Sequence, residues 1–348
     1  MKTTAITTTK SPRMGIYVLK GIAIFGVILY HLFPKYCPGG FLGVPLFFIL
    51  SGYLMFLSTC RNRREGTFQI GTYYKKRFQK IMIPLFVMVM TVCCFMTLTN
   101  SRHMIGIRSQ LCSIFGGYNN WWQIHQNNSY FTDRSAASPF THLWYLSVQM
   151  QFYVVWPFIF LAYRKVRKIL GASKARLLFL VAALLSVLKM AHLYTPGGDP
   201  SRVYYGTDTM AFHLFLGMWL GAVKCSVPKY AQIPLDRTYR KIISLLQLAV
   251  ITILYVVVAG TDAFLYRGGM LLISLFFVYV IYFTERYAVF SYRNRKSEEG
   301  DRSRDTTQRT FLELSGISKR MIQIFAFLGK YSYELYLWHY PLIRLLLP

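Results

Sequence analysis

Lys20 and His31 bracket the apolar run LKGIAIFGVILYH at residues 19–31. Ionisable groups are costly in hydrocarbon, so inside a spanning segment they mark functional positions. In an α-helix eleven residues make about three turns plus roughly 20°, which puts both side chains on one stripe. The rise separates them by about 16 Å, roughly half the thickness of a bilayer core. An ammonium can then sit at one membrane face while an imidazole, the side chain that exchanges protons near neutrality, sits deep. The bland arrangement is a Lys that snorkels to the interface and a His that caps the outer part of the helix. The run alone leaves both readings open.

Other ionisable groups fall in apolar surroundings. Lys189 with His192 fits snorkelling. Asp208 with His213 could pair on one helix face or line a cavity, and Glu334 with His339 sits among aromatics in YSYELYLWHYP. Those aromatics also suit an interfacial belt. A second cluster, Arg61, Arg63, Arg64, Lys75, Lys76, Arg77 and Lys80, reads either as a topology signal or as an anion site for a phosphate-rich ligand. In PGGFLGVPLFFILSGYLM, Gly and Pro at 38–45 suggest a cavity lip beside the His31 end, and Ser51-Gly52 suggests close helix packing.

The elements that must carry these groups are membrane helices. The 348 residues are 54% hydrophobic but only 15% charged, against about 25% in soluble domains. Nine apolar segments (15–33, 41–58, 81–99, 142–163, 177–194, 207–223, 242–259, 268–284 and 331–348) are too long and too evenly apolar for barrel strands. The expected fold is an all-α polytopic bundle of about nine spans, forming one transmembrane domain over 1–348. Most of the 40 Lys and Arg lie in alternate connections (61–80, 164–176, 224–241 and 285–330) and in the N-terminal segment. The positive-inside rule therefore places the N-terminus in the cytoplasm as an uncleaved first span. The net charge of +27 follows from topology and attraction to anionic lipid, and needs no nucleic acid. The six cysteines have no metal spacing; Cys37 and Cys112 could both lie outside, but a disulfide between them is not the expectation, since such pairs are scarce outside disulfide scaffolds. The segment 100–141, with GGYNNWWQIHQNNSYF, reads as a long outer loop. The stretch 285–320 reads as a charged inner loop leading into an amphipathic stretch at 318–329.

Five segments in order then resemble the acyltransferase-3 family of integral membrane acyltransferases. Lys20 and His31 stand at that family's Arg-to-His spacing in the first span. GVPLFFILSGYL (43–54) fits its second signature, and KKRFQKIMIP (75–84) its basic segment ending in Pro. HLWYLSVQMQFYVVWP (142–157) and GKYSYELYLWHYP (329–341) fit the remaining two. The resemblance covers most of the chain and is nearest to Gram-positive cell-wall O-acetyltransferases. Three departures stand out: Lys20 replaces Arg and loses the bidentate fork, Gln149 replaces the usual Glu, and no SGNH esterase-like domain follows.

The resemblance implies transfer of an acetyl or other acyl group from cytosolic acyl-CoA to a hydroxyl of an extracytoplasmic glycan, in a bacterial cytoplasmic membrane. It implies no metal. Acetyl-CoA would be held by Lys20, Arg61, Arg63, Arg64, Lys76, Arg77 and Lys80. His31 would meet the thioester end as general base or as nucleophile. His142, Trp144, Tyr145, Ser147, Gln151 and Tyr153 would line the acceptor path, and the aromatic outer loop could stack on sugar rings. A separate extracytoplasmic SGNH-type transferase could finish the transfer. A transporter or flippase of a glycan or anionic substrate would use the same intramembrane charges, and a truncated, inactive relative would keep the motifs.

Overall fold

The computed structural model describes residues 14–99, 106–131, 138–226, 235–298 and 316–346. The acidic and basic centre of the expected inner loop lies outside those residues, as does the N-terminal tail. Twelve α-helices are present among the described residues, with no β-strand. They are α1 (Met14–Leu32), α2 (Gly43–Arg64), α3 (Ile70–Thr99), α4 (Ile107–Phe115), α5 (Asn119–His125), α6 (Trp144–Leu193), α7 (Ser201–Tyr205), α8 (Thr207–Ser226), α9 (Arg237–Val257), α10 (Met270–Glu298), α11 (Gly316–Lys330) and α12 (Ser332–Leu346). Six stretches are long and apolar enough to cross a bilayer: α1, α2, α3, α6, α9 and the segment 265–287 that leads into α10. The protein is therefore an all-α polytopic membrane protein. All nine expected spans fall on helix, although α8 and the 15-residue α12 are not among those six.

Helix α2 is the central element, with Leu46, Phe48, Ile49, Leu50, Met55 and Phe56 fully buried. Close approach of α8 explains its depth. A Cβ on Gly52 would lie 2.2 Å from the Leu214 carbonyl oxygen, and one on Gly217 would lie 2.0 Å from that of Ile49. Small residues let two backbones touch where apolar burial gives no advantage over lipid. At the periphery α9 exposes Leu245, Leu246, Ile253 and Val256, as a lipid-facing helix should.

Three connections differ from their sequence reading and a fourth follows it. Residues 61–64 are the last turn of α2, and 70–80 are the first three turns of α3, so much of the basic "loop" is helix. Gly171 breaks the 50-residue α6 with φ +82° and ψ 168°, which only glycine adopts readily, and so divides the two spans expected there. The expected outer loop folds into α4 and α5, whose Asn119, Asn120 and Gln123 are fully buried. The Asn120 amide donates to the Tyr205 carbonyl at 3.0 Å and to Thr207 Oγ1 at 2.9 Å, so α5 is a plug docked by hydrogen bonds. The stretch near 318–329 is α11, which runs antiparallel to α1. Gly329 meets Tyr17, Gly21 meets Phe325, and the Phe25 and Phe325 rings lie 5.6 Å apart. Its other face exposes Met321, Ile324 and Phe327. Cys37 is buried and Cys112 exposed, and both are free thiols, so the bridge between them is not formed.

Candidate functional site

A cavity of about 190 Å³ opens between α1, α2, α3, α6 and α12. Three cations line it: Lys20 from α1, with Arg77 and Lys80 from α3. Arg77, Lys80 and Ile81 share one helix face by their three- and four-residue spacing, and that face lines the cavity beside α12. Lys75 and Lys76 occupy other positions around α3 and do not line the cavity. The polar wall comes from Ser51, Tyr145, Gln149, Tyr153, Tyr333 and Tyr336. The Arg77 guanidinium lies 4.6 Å over the Tyr153 ring and 5.7 Å from that of Tyr73, which fixes the cation against aromatic faces. The Gln149 amide nitrogen donates to Ser51 Oγ at 2.7 Å and to the Tyr153 hydroxyl at 2.6 Å. One neutral amide thus ties α6 to α2 and holds the ring on which Arg77 rests.

The three arginines of α2 are used elsewhere. Arg61 pairs with Glu65 at 3.9 Å, Arg63 lies 5.6 Å over the Phe68 ring, and Arg64 donates to the Cys225 carbonyl at 3.0 Å. None of them lines the cavity. Of the seven residues the sequence assigns to the coenzyme, three come together there.

Tyr336 links the cavity to a second cluster. Its ring lies 5.2 Å from that of His142 and 5.8 Å from that of His339, and its hydroxyl donates to the His142 carbonyl. His31, in the last turn of α1, lies 5.4 Å from the His339 ring and 4.7 Å from the Tyr340 ring. The His142 and His339 rings are 5.5 Å apart. Three imidazoles from α1, from the 3-10 turn before α6 and from α12 therefore meet at one end of the bundle. They form no metal-holding group. Helix α12 creates this arrangement by running parallel to α1: Ser332 and Tyr333 line the cavity beside Lys20, and His339, two turns on, reaches His31.

The proposed acceptor residues divide into two groups. Tyr145 and Tyr153 line the cavity, and His142 belongs to the histidine cluster. Trp144, Ser147 and Gln151 point the other way. Trp144 is packed against Tyr204 at 4.8 Å, and Ser147 Oγ accepts from the Asn119 backbone at 3.0 Å. The Gln151 amide donates to the Gly117 carbonyl and to Asn120 Oδ1 and accepts from Thr207 Oγ1. Ser147 and Gln151 thus hold the α4–α5 plug, while Trp144 packs on α7. The plug's aromatics are likewise occupied: Trp121 lies under the Arg202 guanidinium, and the buried Tyr130 stacks on Tyr30. Gln149, Ser51, Tyr333 and Tyr336 are cavity residues that reasoning from sequence did not assign to a site.

The remaining intramembrane charges find structural partners. Asp208 pairs with Lys189 at 2.9 Å and Arg202 at 3.0 Å rather than with His213. His213 is fully buried and its Nδ1 meets Ser274 Oγ at 2.8 Å.

Comparison with known proteins finds a family and relatives that match along most of the chain. The family described as "Acyltransferase domain" matches residues 15–347. The peptidoglycan O-acetyltransferase OatA of Listeria monocytogenes is 30% identical over 345 residues, which is 95% of this chain and 49% of the relative. The O-acetyltransferase OatA of Staphylococcus aureus is 32% identical over 346 residues, 96% of this chain and 51% of the relative. The chain thus spans about half the length of these relatives. No solved structure matches it.

Proposed function

The chain belongs to the acyltransferase-3 family, and from that premise we propose that it is a membrane O-acyltransferase that moves acetyl from acetyl-CoA to a hydroxyl of a cell-wall glycan. The observation that carries this reading is the division of labour along α1. Lys20 joins Arg77 and Lys80 in a cationic cavity, and His31, about 16 Å further along the same stripe, joins two more imidazoles. The distribution of Lys and Arg supports a cytoplasmic N-terminus, which puts the cavity toward the cytosolic donor and the histidines toward the outer face.

The chemistry follows from charge. Coenzyme A carries phosphates, which ammonium and guanidinium groups bind by charge-assisted hydrogen bonds. Its pantetheine arm would run past Tyr145 and Tyr336 toward His31. There a neutral imidazole takes the proton of the acceptor hydroxyl as that oxygen attacks the thioester carbonyl. The C–O bond forms, the C–S bond breaks, and the thiolate leaves and recovers a proton. Direct attack by the imidazole, with an acyl-imidazole as intermediate, uses the same placement. Peptidoglycan is the acceptor favoured by the relatives' names, and a bacterial cytoplasmic membrane is the matching location. A separate extracytoplasmic transferase of the SGNH type would fit as the partner that completes delivery.

The test is transfer of label. Membranes holding the chain or its His31→Ala variant receive acetyl-CoA labelled in the acetyl group. Label on wall glycan with the unaltered chain and none with the variant is the expected result. Equal transfer by both would remove His31 from the mechanism, and no transfer by either would leave the cationic cavity to a transported anion.

A further inference from the structure

His339 is placed in the site by geometry alone. Its Nδ1 lies 2.8 Å from the Tyr336 carbonyl oxygen and 3.2 Å from that of Leu335. A carbonyl can only accept, so Nδ1 carries the proton and donates it. The neutral ring then has its lone pair on Nε2. That atom is buried, the residue is 7% exposed, and Nε2 has no hydrogen-bond partner among the described residues. A buried acceptor without a partner calls for a functional explanation. The groups facing the ring are His31 on α1, His142 on the turn before α6, and Tyr336 and Tyr340 on its own helix; none is an acid.

We propose that His339 is a positioning residue for acyl transfer: its Nε2 accepts a hydrogen bond from the His31 imidazolium that forms as the acceptor hydroxyl gives up its proton. This inference rests on the function proposed above, with His31 as the base. The spacing suits it. A ring nitrogen lies about 1.2 Å from its centroid, so a ~3 Å N–H···N bond between two imidazoles needs centroids about 5.4 Å apart. The observed separation is 5.4 Å with the ring planes tilted by 40°, and Nε2 carries no bond from His31 in this state, so the bond forms on a rotation of the His31 ring as it takes its proton. His339 stays neutral throughout, because Nδ1 keeps its proton on the backbone carbonyls. The proton on His31 goes on to the leaving thiolate, so the cycle closes without a further reactant. A neutral acceptor suits this buried position, where an unpaired carboxylate would be costly to ionise.

Two substitutions separate positioning from structure. In His339→Asn the side-chain amide can still donate to the Tyr336 carbonyl but offers nothing at the Nε2 position. In His339→Gln the longer side chain can place its amide oxygen near that position. Release of coenzyme thiol from acetyl-CoA is followed with the full chain in membranes. The expected result is a kcat about 30-fold lower for His339→Asn, with KM for acetyl-CoA within twofold of the unaltered chain, and recovery of a third or more of the rate in His339→Gln. An unchanged kcat in His339→Asn overturns the inference. So does a rise in KM that matches the fall in kcat, or a Gln variant no better than the Asn one despite equal amounts of protein in the membrane. If the unaltered chain releases no thiol and moves no label, the proposed function fails and this inference fails with it. An active chain with an indifferent His339 removes this inference alone.

Discussion

Removing one cavity cation should weaken coenzyme binding while leaving the fold intact, and Lys20→Met is the sharpest case. Methionine keeps most of the side chain's volume and apolar stem and removes the charge. A hydrogen bond to a charged group contributes about 1.5–3 kcal/mol. The cavity is open to solvent, which screens part of the interaction, so about 2 kcal/mol is a reasonable loss, or ~30-fold in Kd. Arg77→Met and Lys80→Met should each cost a similar factor. Their effects should fall short of additivity, because all three cations line one small cavity. Three like charges around an empty cavity also repel one another, so Lys20→Met should melt at the same temperature as the unaltered protein or slightly higher. Arg61, Arg63 and Arg64 supply the control. They are engaged with Glu65, Phe68 and the Cys225 carbonyl, and their Met variants should bind within twofold of normal. Equilibrium binding of labelled acetyl-CoA to nanodisc-held protein, at fixed salt, measures all six. If the three α2 variants lose as much affinity as the three cavity variants, the ligand is held by the surface field rather than by this cavity. Undiminished binding by Lys20→Met would refute the assignment outright.

Four further outcomes follow from the packing. Gly329→Ala places a Cβ 1.7 Å from the Tyr17 carbonyl oxygen, so α1 and α11 must separate; a loss of about 1–3 kcal/mol should appear as a lower melting midpoint in detergent. Gly171→Ala meets no neighbour within 4 Å, so any cost comes from the backbone at φ +82° and ψ 168°, about 1–3 kcal/mol in the same melting assay. Glu285 accepts from the Tyr53 hydroxyl at 2.8 Å and from Lys224 Nζ at 3.1 Å, so Tyr53→Phe should cost about 1 kcal/mol and Glu285→Leu should cost more, by leaving both donors without the carboxylate. Gln151→Leu should lower the melting midpoint with little change in acetyl-CoA affinity, whereas Gln149→Leu should weaken binding with a smaller thermal effect.

The last contrast shows what was legible in the sequence. The stripe joining Lys20 to His31 follows from a single spacing within one helix, and in the structure Lys20 lines the cavity while His31 lies beside His339. The choice among seven basic residues was not legible, because a Lys or Arg that signals topology and one that lines a cavity have the same composition. Only the way α3 packs on α12 and α6, which brings Arg77 and Lys80 but not Lys76 to the cavity wall, separates them. The plug was hidden for a different reason. Asn119 and Asn120 read as loop residues until Ser147, Gln151 and Thr207 are known to face them, and no local rule supplies partners more than 25 residues away.

On α6 the signal was present but at a different period. Tyr145, Gln149 and Tyr153 are four apart and fall on one face, which is the cavity wall. Trp144, Ser147 and Gln151 are three and four apart and fall on another, which grips the plug. Choosing Gln151 and omitting Gln149 crossed from one stripe to the other, since two residues turn a helix by roughly 200°. The consequence reaches the mechanism. The position at which relatives of this kind carry Glu is the one that here holds Ser51 and Tyr153 through a neutral amide, and Tyr153 in turn supports Arg77. A carboxylate there would accept from both hydroxyls and add a negative charge among three cations. With glutamine, no carboxylate offsets the three cations, which would leave the full positive charge of the cavity to the phosphates of the proposed donor.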